Sequence, residues 1–402
     1  MAQKTRISCD ILISGGGIAG MTAAAAFGSA GFDVVCVDPA PPVTGRGDAG
    51  ADMRSTAMLQ PARDVLQAAG LWDHLAPHAA PLQVMRIVDA GGEAGQARMT
   101  RDFCADEVSE LPFGWNLPNW LLRREMVKRL GELATVDFRP GTATTSLFTR
   151  EREARTGLSD GTVVRSRLVV AADGRNSPMR EASGIGVTTQ RYGQKALAFA
   201  VTHSEPHHNV STEIHRTGGP FTLVPLPDYE GEPSSAVVWM DAGPRVQARY
   251  EMDEAAFEQE MTARSCGLFG PLKLASPRTI WPIISQKADR LSGERLALIA
   301  EAAHVVPPIG AQGLNMSLAD TACLLDLAQQ NPETLGDRAM LDAFHDARYK
   351  DISLRVRGID LLNRASQVEA PALRDARATG LQALYALPPV RRTLMQMGLG
   401  VR

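Results

Sequence analysis

Three glycine-centred clusters stand in a fixed order along this chain, and they hold the residues most able to do chemistry. Gly15-Gly16-Gly17-Ile18-Ala19-Gly20 comes first, and Asp173-Gly174-Arg175-Asn176-Ser177-Pro178 lies mid-chain. Ala300-Glu301-Ala302-Ala303-His304 then runs on to Pro307-Pro308-Ile309-Gly310-Ala311-Gln312-Gly313-Leu314-Asn315. Glycines at such spacings let backbone amides approach a phosphate closely. A lone Gly-x-Gly-x-x-Gly is weak evidence, but three clusters in order fit one long dinucleotide gripped by three segments.

The elements that must position the first cluster are legible. Residues 10–14 read as a buried strand, 18–30 as an alanine-rich helix and 33–38 as a second strand. The glycines therefore fall between strand and helix, the context the motif requires. Gly15 permits the turn, Gly17 admits the pyrophosphate, and Gly20 lets the helix pack against the sheet, with Ile18 and Ala19 opening that helix. Asp38 closes the second strand, where a carboxylate can accept hydrogen bonds from ribose hydroxyls. This cluster alone does not separate NAD from FAD.

The later clusters narrow the choice. Residues 168–172 form a buried-strand pattern leading into Asp173-Gly174, a turn that can bring a carboxylate and free N–H groups to a pyrophosphate. A plain helix cap by Asp173 and Ser177 is the bland alternative. Residues 296–299 form another strand, and 314–329 a helix whose N-terminus faces the same place. A positive helix end there suits the N1–C2=O edge of a reduced flavin.

Composition bounds the rest. The chain has 402 residues, enough for a large core and two or three subdomains. A net charge of −3 gives no reason to expect nucleic acid. No apolar run reaches the roughly 18 residues of a membrane helix, and residues 1–6 lack a signal core, so a cytoplasmic location is expected. The five cysteines have no Cys-x-x-Cys spacing, which argues against zinc or a disulfide framework, and no metal is expected. His203, His207 and His208 cluster near a turn, and a solvated loop is the preferred reading.

Taken together, the motifs resemble the class A flavoprotein monooxygenases, the aromatic hydroxylase superfamily, and within it the ubiquinone-biosynthesis hydroxylases. The likeness covers nearly the whole chain. Asp52-Met53-Arg54-Ser55-Thr56 resembles the segment bearing an arginine near the flavin, and Asn119-Trp120-Leu121-Leu122-Arg123 resembles a helix start whose arginine contacts the cofactor. Tyr192 to Ala196 and Gly219 to Leu226 resemble the sheet roofing the substrate, and 360–364 and 374–381 resemble the C-terminal tail of the quinone branch. The resemblance implies FAD held by Gly15, Gly17, Ile18, Ala19, Gly20, Asp38, Arg54, Arg123, Asp173, Gly174, Glu301, Pro308, Gly310, Gln312, Gly313, Leu314 and Asn315. It departs at Ala300-Glu301, where the family has Gly-Asp, and at Gly310-Ala311, which inverts the common order.

The implied fold is α/β: a Rossmann-like FAD-binding domain with a parallel sheet, an antiparallel-sheet substrate domain and C-terminal helices. Expected boundaries are 1–80, 105–187 and 275–335 for the discontinuous FAD-binding domain, 81–104 and 188–274 for the substrate domain, and 336–402 for the helices. Pro388-Pro389 should open a terminal helix whose apolar side chains serve core packing, with docking to a partner or the membrane surface as the sharper alternative.

No nucleophile–base pair or carboxylate pair stands out, which fits an enzyme whose cofactor carries the reactive atoms. The implied cycle uses NAD(P)H as reductant, a flavin C4a-hydroperoxide and an electron-rich phenol, here a polyprenylphenol of ubiquinone biosynthesis. The expected pocket lies between Phe221, Leu223, Val224 and Pro225 on one side and Pro307 on the other, with Trp239, Trp281 and Met240 as further wall candidates. His304 is a candidate general base, with a structural role preferred. The competing readings are a hydroxylase of a small soluble aromatic compound and a non-catalytic flavoprotein-like subunit of a biosynthetic complex.

Overall fold

In this computed structural model, residues 5–91, 96–367 and 385–399 are described. Among the described residues twenty strands form three sheets. The first contains β1 (Arg6–Ser14), β2 (Val34–Asp38), β8 (Val136–Pro140), β9 (Thr144–Arg150), β10 (Glu153–Leu158), β11 (Val163–Ala171), β18 (Ser292–Gly293) and β19 (Leu296–Leu298). Its order is β18-β19-β11-β1-β2-β8, with β10 and β9 continuing antiparallel from β11. The β19-β11-β1-β2-β8 pairs are all parallel. Such strands are covered on both faces and read as unbroken apolar runs, as Ile11-Leu12-Ile13 and Leu168-Val169-Val170 do, all wholly buried.

The second sheet has nine strands: β5 (Val84–Asp89), β6 (Met99–Cys104), β12 (Val187–His203), β13 (Val210–His215), β14 (Pro220–Tyr229), β15 (Glu232–Ala242), β16 (Leu272–Leu274), β17 (Thr279–Ala288) and β20 (His304–Val305). Its order is β20-β17-β12-β15-β14-β13-β5-β6, with β16 beside β12. A third, small sheet joins β3 (Ser55–Leu59), β7 (Gly114–Pro118) and β4 (Ala80–Leu82). Thr279–Ala288, which lies beyond the boundary expected at 275, pairs with β12 and belongs to the nine-stranded sheet.

The helices are α1 (Ile18–Ser29), α2 (Gln60–Ala68), α3 (Trp72–Leu75), α4 (Asn119–Glu132), α5 (Pro178–Ala182), α6 (Gly243–Glu251), α7 (Glu254–Arg264), α8 (Ala300–Ala303), α9 (Gln312–Gln330), α10 (Arg338–Ser366) and α11 (Pro388–Leu399). Helices α1, α4 and α9 help build the large core around the parallel sheet. Helix α7, through Phe257 and Met261, closes a second core on one face of the nine-stranded sheet. The tail segment at 374–381 lies outside the described residues.

All five cysteines carry free thiols, and burial pushes Cys9 up to about 12. No helix of the described residues is long and apolar enough to cross a membrane.

Candidate functional site

The first cluster sits where β1 runs into α1. Gly15 has φ +108, a backbone state that side chains resist. At Gly20 an added Cβ would stand 1.9 Å from the Gly15 carbonyl oxygen, whereas at Gly17 it would meet nothing within 4 Å. One glycine is thus needed for packing, and the other opens onto free space. Helix α1 has no side-chain cap and no acidic residue in its first turn, so its leading amides remain available to an anion. Asp38 accepts from the Gly16 amide at 2.6 Å and the Ala40 amide at 2.9 Å. Each carboxylate oxygen keeps a lone pair for a further donor.

The second cluster is tied to the first and third. Asp173 accepts from Ser14 Oγ at 3.3 Å and the Met179 amide at 3.2 Å, while its Oδ1 is buried without a hydrogen-bond partner among the described residues. Burial pushes its carboxyl above the ordinary range, against hydrogen bonds from Ser177 and Met179 that pull it down. Ser177 caps α5 by accepting from the Arg180 amide at 3.0 Å, so the cap reading holds for that residue. Buried Arg180 donates to the Ala302 and Arg175 carbonyls, each at 3.0 Å, and so clamps the second cluster to the third.

In the third cluster Ala300 has φ +55, the conformation that favours the family's glycine. Glu301 is more than half exposed and lies 3.9 Å from Arg175. Pro308, Gly310 and Gly313 are exposed, and Pro307 and Gln312 are buried. Helix α9 opens on Ala311 in the left-handed conformation, again without a side-chain cap or a first-turn acid. Asn315 stitches this loop to β3, accepting from the Leu59 amide at 2.8 Å and donating to the Ala57 carbonyl at 2.7 Å. Leu314 is half-buried beside it.

The two arginines read from the sequence converge on one carboxylate. Asp52 takes a bidentate pair from Arg54 at 2.7 and 2.6 Å, with Asn119 at 3.1 Å and Arg123 at 3.3 Å. Burial alone would raise Asp52, but these donors outweigh it and hold the carboxyl below the ordinary range. The Arg54 guanidinium stands over the Trp281 ring at 5.5 Å, at the seam between the parallel and nine-stranded sheets.

The site residues meet FAD's requirements at three separate points. Open backbone at Gly17, Gly174 and Gly313 offers room where a Cβ would meet nothing, the N-terminal ends of α1 and α9 carry no side-chain cap, and Asp173 keeps a buried oxygen without a hydrogen-bond partner among the described residues.

The pocket wall differs from expectation. Phe221 and Leu223 are wholly buried in the helix-backed core with Trp239 and Phe257, so they do not line the flavin side. Strand alternation is the reason: Thr222 and Val224 take the opposite face, and both are half-buried. On that face Met240, Ala196 and Ile283 pack with Trp281, Val238, Tyr192 and Ile309 of the third-cluster loop. Pro225 is buried, and its carbonyl accepts from Asn116 at 2.8 Å.

His304 is also placed away from the reacting face. Its ring is 1% exposed and bonds Asp320 at 2.7 Å. Asp320 in turn accepts from Arg348 at 2.8 Å, a structural network the sequence reading missed. The available signal was an aspartate inside the apolar run of α9, Leu318-Ala319-Asp320-Thr321-Ala322, because a charge buried there demands a partner. His203, expected in a solvated loop, is instead buried, with ring nitrogens 2.8 Å from the Glu205 carbonyl and 2.9 Å from Ser235 Oγ. Among the described residues no group of His, Cys, Asp or Glu could hold a metal ion.

The family described as FAD binding domain matches residues 8–354. Ubiquinone hydroxylase UbiL of Rhodospirillum rubrum is 32% identical over 394 residues, covering 97% of this chain and 89% of its own. The 3-demethoxyubiquinol 3-hydroxylase of Escherichia coli is 26% identical over 98% of both chains. The fold is shared with p-nitrophenol 4-monooxygenase PnpA of Pseudomonas putida DLL-E4, at a TM-score of 0.80 and 18% identity over 99% of both chains. Glycine clusters, uncapped helix ends and full-length likeness agree: the chain belongs to the FAD-binding family of flavin-dependent aromatic monooxygenases, in its ubiquinone-hydroxylase branch.

Proposed function

We propose that this monooxygenase hydroxylates the ring of a polyprenylated phenol in ubiquinone biosynthesis, with NAD(P)H as reductant and O2 as oxidant. Bound FAD supplies the reduction of O2 and the electrophilic oxygen. The chain's own residues do the rest. Gly17, Gly174 and the α1 amides would hold the pyrophosphate, Asp38 and Glu301 would take sugar and ribityl hydroxyls, and the α9 N-terminus would supply a positive end to the reduced ring. Ile309, Met240, Val238 and Trp281 exclude water from the face where the substrate ring lies.

One observation carries the substrate class: the apolar surface does not stop at the ring site. Val224, one pleat along β14 from Thr222, packs against a further cluster in which Leu82 and Phe113 meet Met395 and Leu399 of α11. A small aromatic acid needs no such length, and Arg54, whose guanidinium stands over the Trp281 ring, gives its Nε and one terminal nitrogen to Asp52. On its other side α11 exposes Val390, Leu394 and Met397 near Arg392, with Leu387 exposed just before it, which supports contact with the membrane surface holding a prenylated substrate.

Phenols with tails of increasing prenyl length, assayed by NAD(P)H oxidation and product analysis, test the reading. Hydroxylated product and a kcat/KM that rises with tail length are expected. A chain that turns over hydroxybenzoates and ignores prenylphenols would replace it with the small-acid reading.

A further inference from the structure

The flavin-side face of the nine-stranded sheet is apolar beside Ile309 and changes character two strands away. Thr222 pairs with Val238 on one side and Glu213 on the other, and Glu213 pairs with Ile87. These four residues therefore form one row. They stand on the face opposite Phe221 and Ile214, which are wholly buried in the helix-backed core. At ~4.8 Å between strands, Glu213 lies about 10 Å from Val238, a span suited to one substituted aromatic ring.

One pleat along β13, His215 shares this face, and its Nε2 is 2.7 Å from Glu213 Oε1. The two side chains are 15% and 18% exposed, neither sealed in the core nor free in solvent. The pair is also incomplete. His215 Nδ1 is buried and has no hydrogen-bond partner among the described residues, and such an atom calls for a donor. The neighbouring cations have other contacts, though Arg101 keeps a buried Nε without a hydrogen-bond partner among the described residues. Asp89, the register neighbour of His215, is ion-paired with Arg98. Arg101, two strands from Glu213, stands over the Tyr385 ring.

We infer that Glu213 and His215 form the polar anchor of the substrate cavity, binding the hydroxyl of a neutral phenol and discriminating against aromatic carboxylates. Glu213 accepts the Nε2–H of His215, which leaves the Nδ1 lone pair to accept the phenolic O–H. A carboxylate brings no proton to that nitrogen and meets the like charge of Glu213. The inference rests on the phenol reading and deepens it by naming the residues that select the substrate.

The test titrates the FAD-loaded protein with 4-methylphenol and with 4-methylbenzoate, which differ only in the group presented to the anchor, and follows the flavin absorbance. The native protein should bind the phenol at least about tenfold more tightly. Glu213→Gln should bring the two dissociation constants to within about threefold, and His215→Phe should weaken the phenol about tenfold without changing the carboxylate. Glu213→Asp, which keeps the charge, should retain the native preference and reports on folding through FAD content. An unchanged ratio in both Glu213→Gln and His215→Phe, at native FAD content, overturns the anchor and leaves the monooxygenase reading standing. A native protein whose flavin responds to neither ligand overturns both.

Discussion

Replacing Asp320 puts the buried network behind the cofactor loop under direct strain. The carboxylate is wholly buried, 2.7 Å from His304 Nε2, 2.8 Å from Arg348 Nε and 3.4 Å from the Ala300 amide. Burial works against its ionised form, but His304 and Arg348 outweigh that and hold the carboxyl below the ordinary range. Asp320→Ala strips the His304 ring of its acceptor and leaves Arg348 with Asp351, 2.8 Å away, as its remaining carboxylate. Removing one member of a buried pair costs about 3–5 kcal/mol, and the surviving Asp351 contact places this loss near the lower end, about 3 kcal/mol. Asp320→Asn keeps the shape and one acceptor, so about half that loss is expected. At roughly 2–4 °C per kcal/mol for a large domain, Asp320→Ala should melt about 6–12 °C below the native protein at pH 7. The sign with pH follows from the depressed carboxyl. Its stabilisation is fully present above the unfolded value and is lost as pH falls through the folded one. The gap between native and Asp320→Asn melting temperatures should therefore shrink below about pH 4. Melting of Asp320→Ala within about 2 °C of native at pH 7, or a gap that persists in acid, would refute the reasoning.

Three further outcomes are expected. Gly20→Ala, whose Cβ would stand 1.9 Å from the Gly15 carbonyl oxygen, should yield protein without bound flavin, while Gly17→Ala, with nothing within 4 Å, should keep the native melting temperature of the FAD-free protein and bind FAD more weakly; flavin absorbance and calorimetry check both. Ala300→Gly should stabilise the protein by about 0.5–1 kcal/mol, because φ +55 penalises a side chain, and a lower melting temperature would contradict this. A chain ending at Leu387 loses α11 and should stay folded yet sediment less with anionic lipid vesicles; unchanged sedimentation removes the membrane contact.

The cofactor side was legible because its signals are local. Gly15, Gly17 and Gly20 lie within six residues of one another, between a strand and a helix that announce themselves by unbroken apolar runs. The substrate wall was not, because β14 is apolar on both faces. Phe221-Thr222-Leu223-Val224 does not reveal which parity faces the flavin, and only pairing with β15 and the position of α7 decide it. The sheet that Thr279–Ala288 joins was not legible for the same reason, since a strand's sheet is a property of its partner. Asp320 and Arg348 are 28 residues apart, and neither side chain names the other from sequence.

The parallel sheet has a consequence for how the protein is made. Its central strand order, β19-β11-β1-β2-β8, draws on residues 6–14, 34–38, 136–140, 163–171 and 296–298. A ribosome that has released only the first half of the chain has therefore exported the glycine turn without the strand that closes the sheet beside β11. Until Leu298 emerges, the growing polypeptide holds an unpaired parallel edge and an incomplete nucleotide cleft, a state prone to aggregation and slow to resolve. Flavin capture must then follow synthesis of most of the chain, and nascent fragments arrested earlier should bind nascent-chain chaperones and carry no colour.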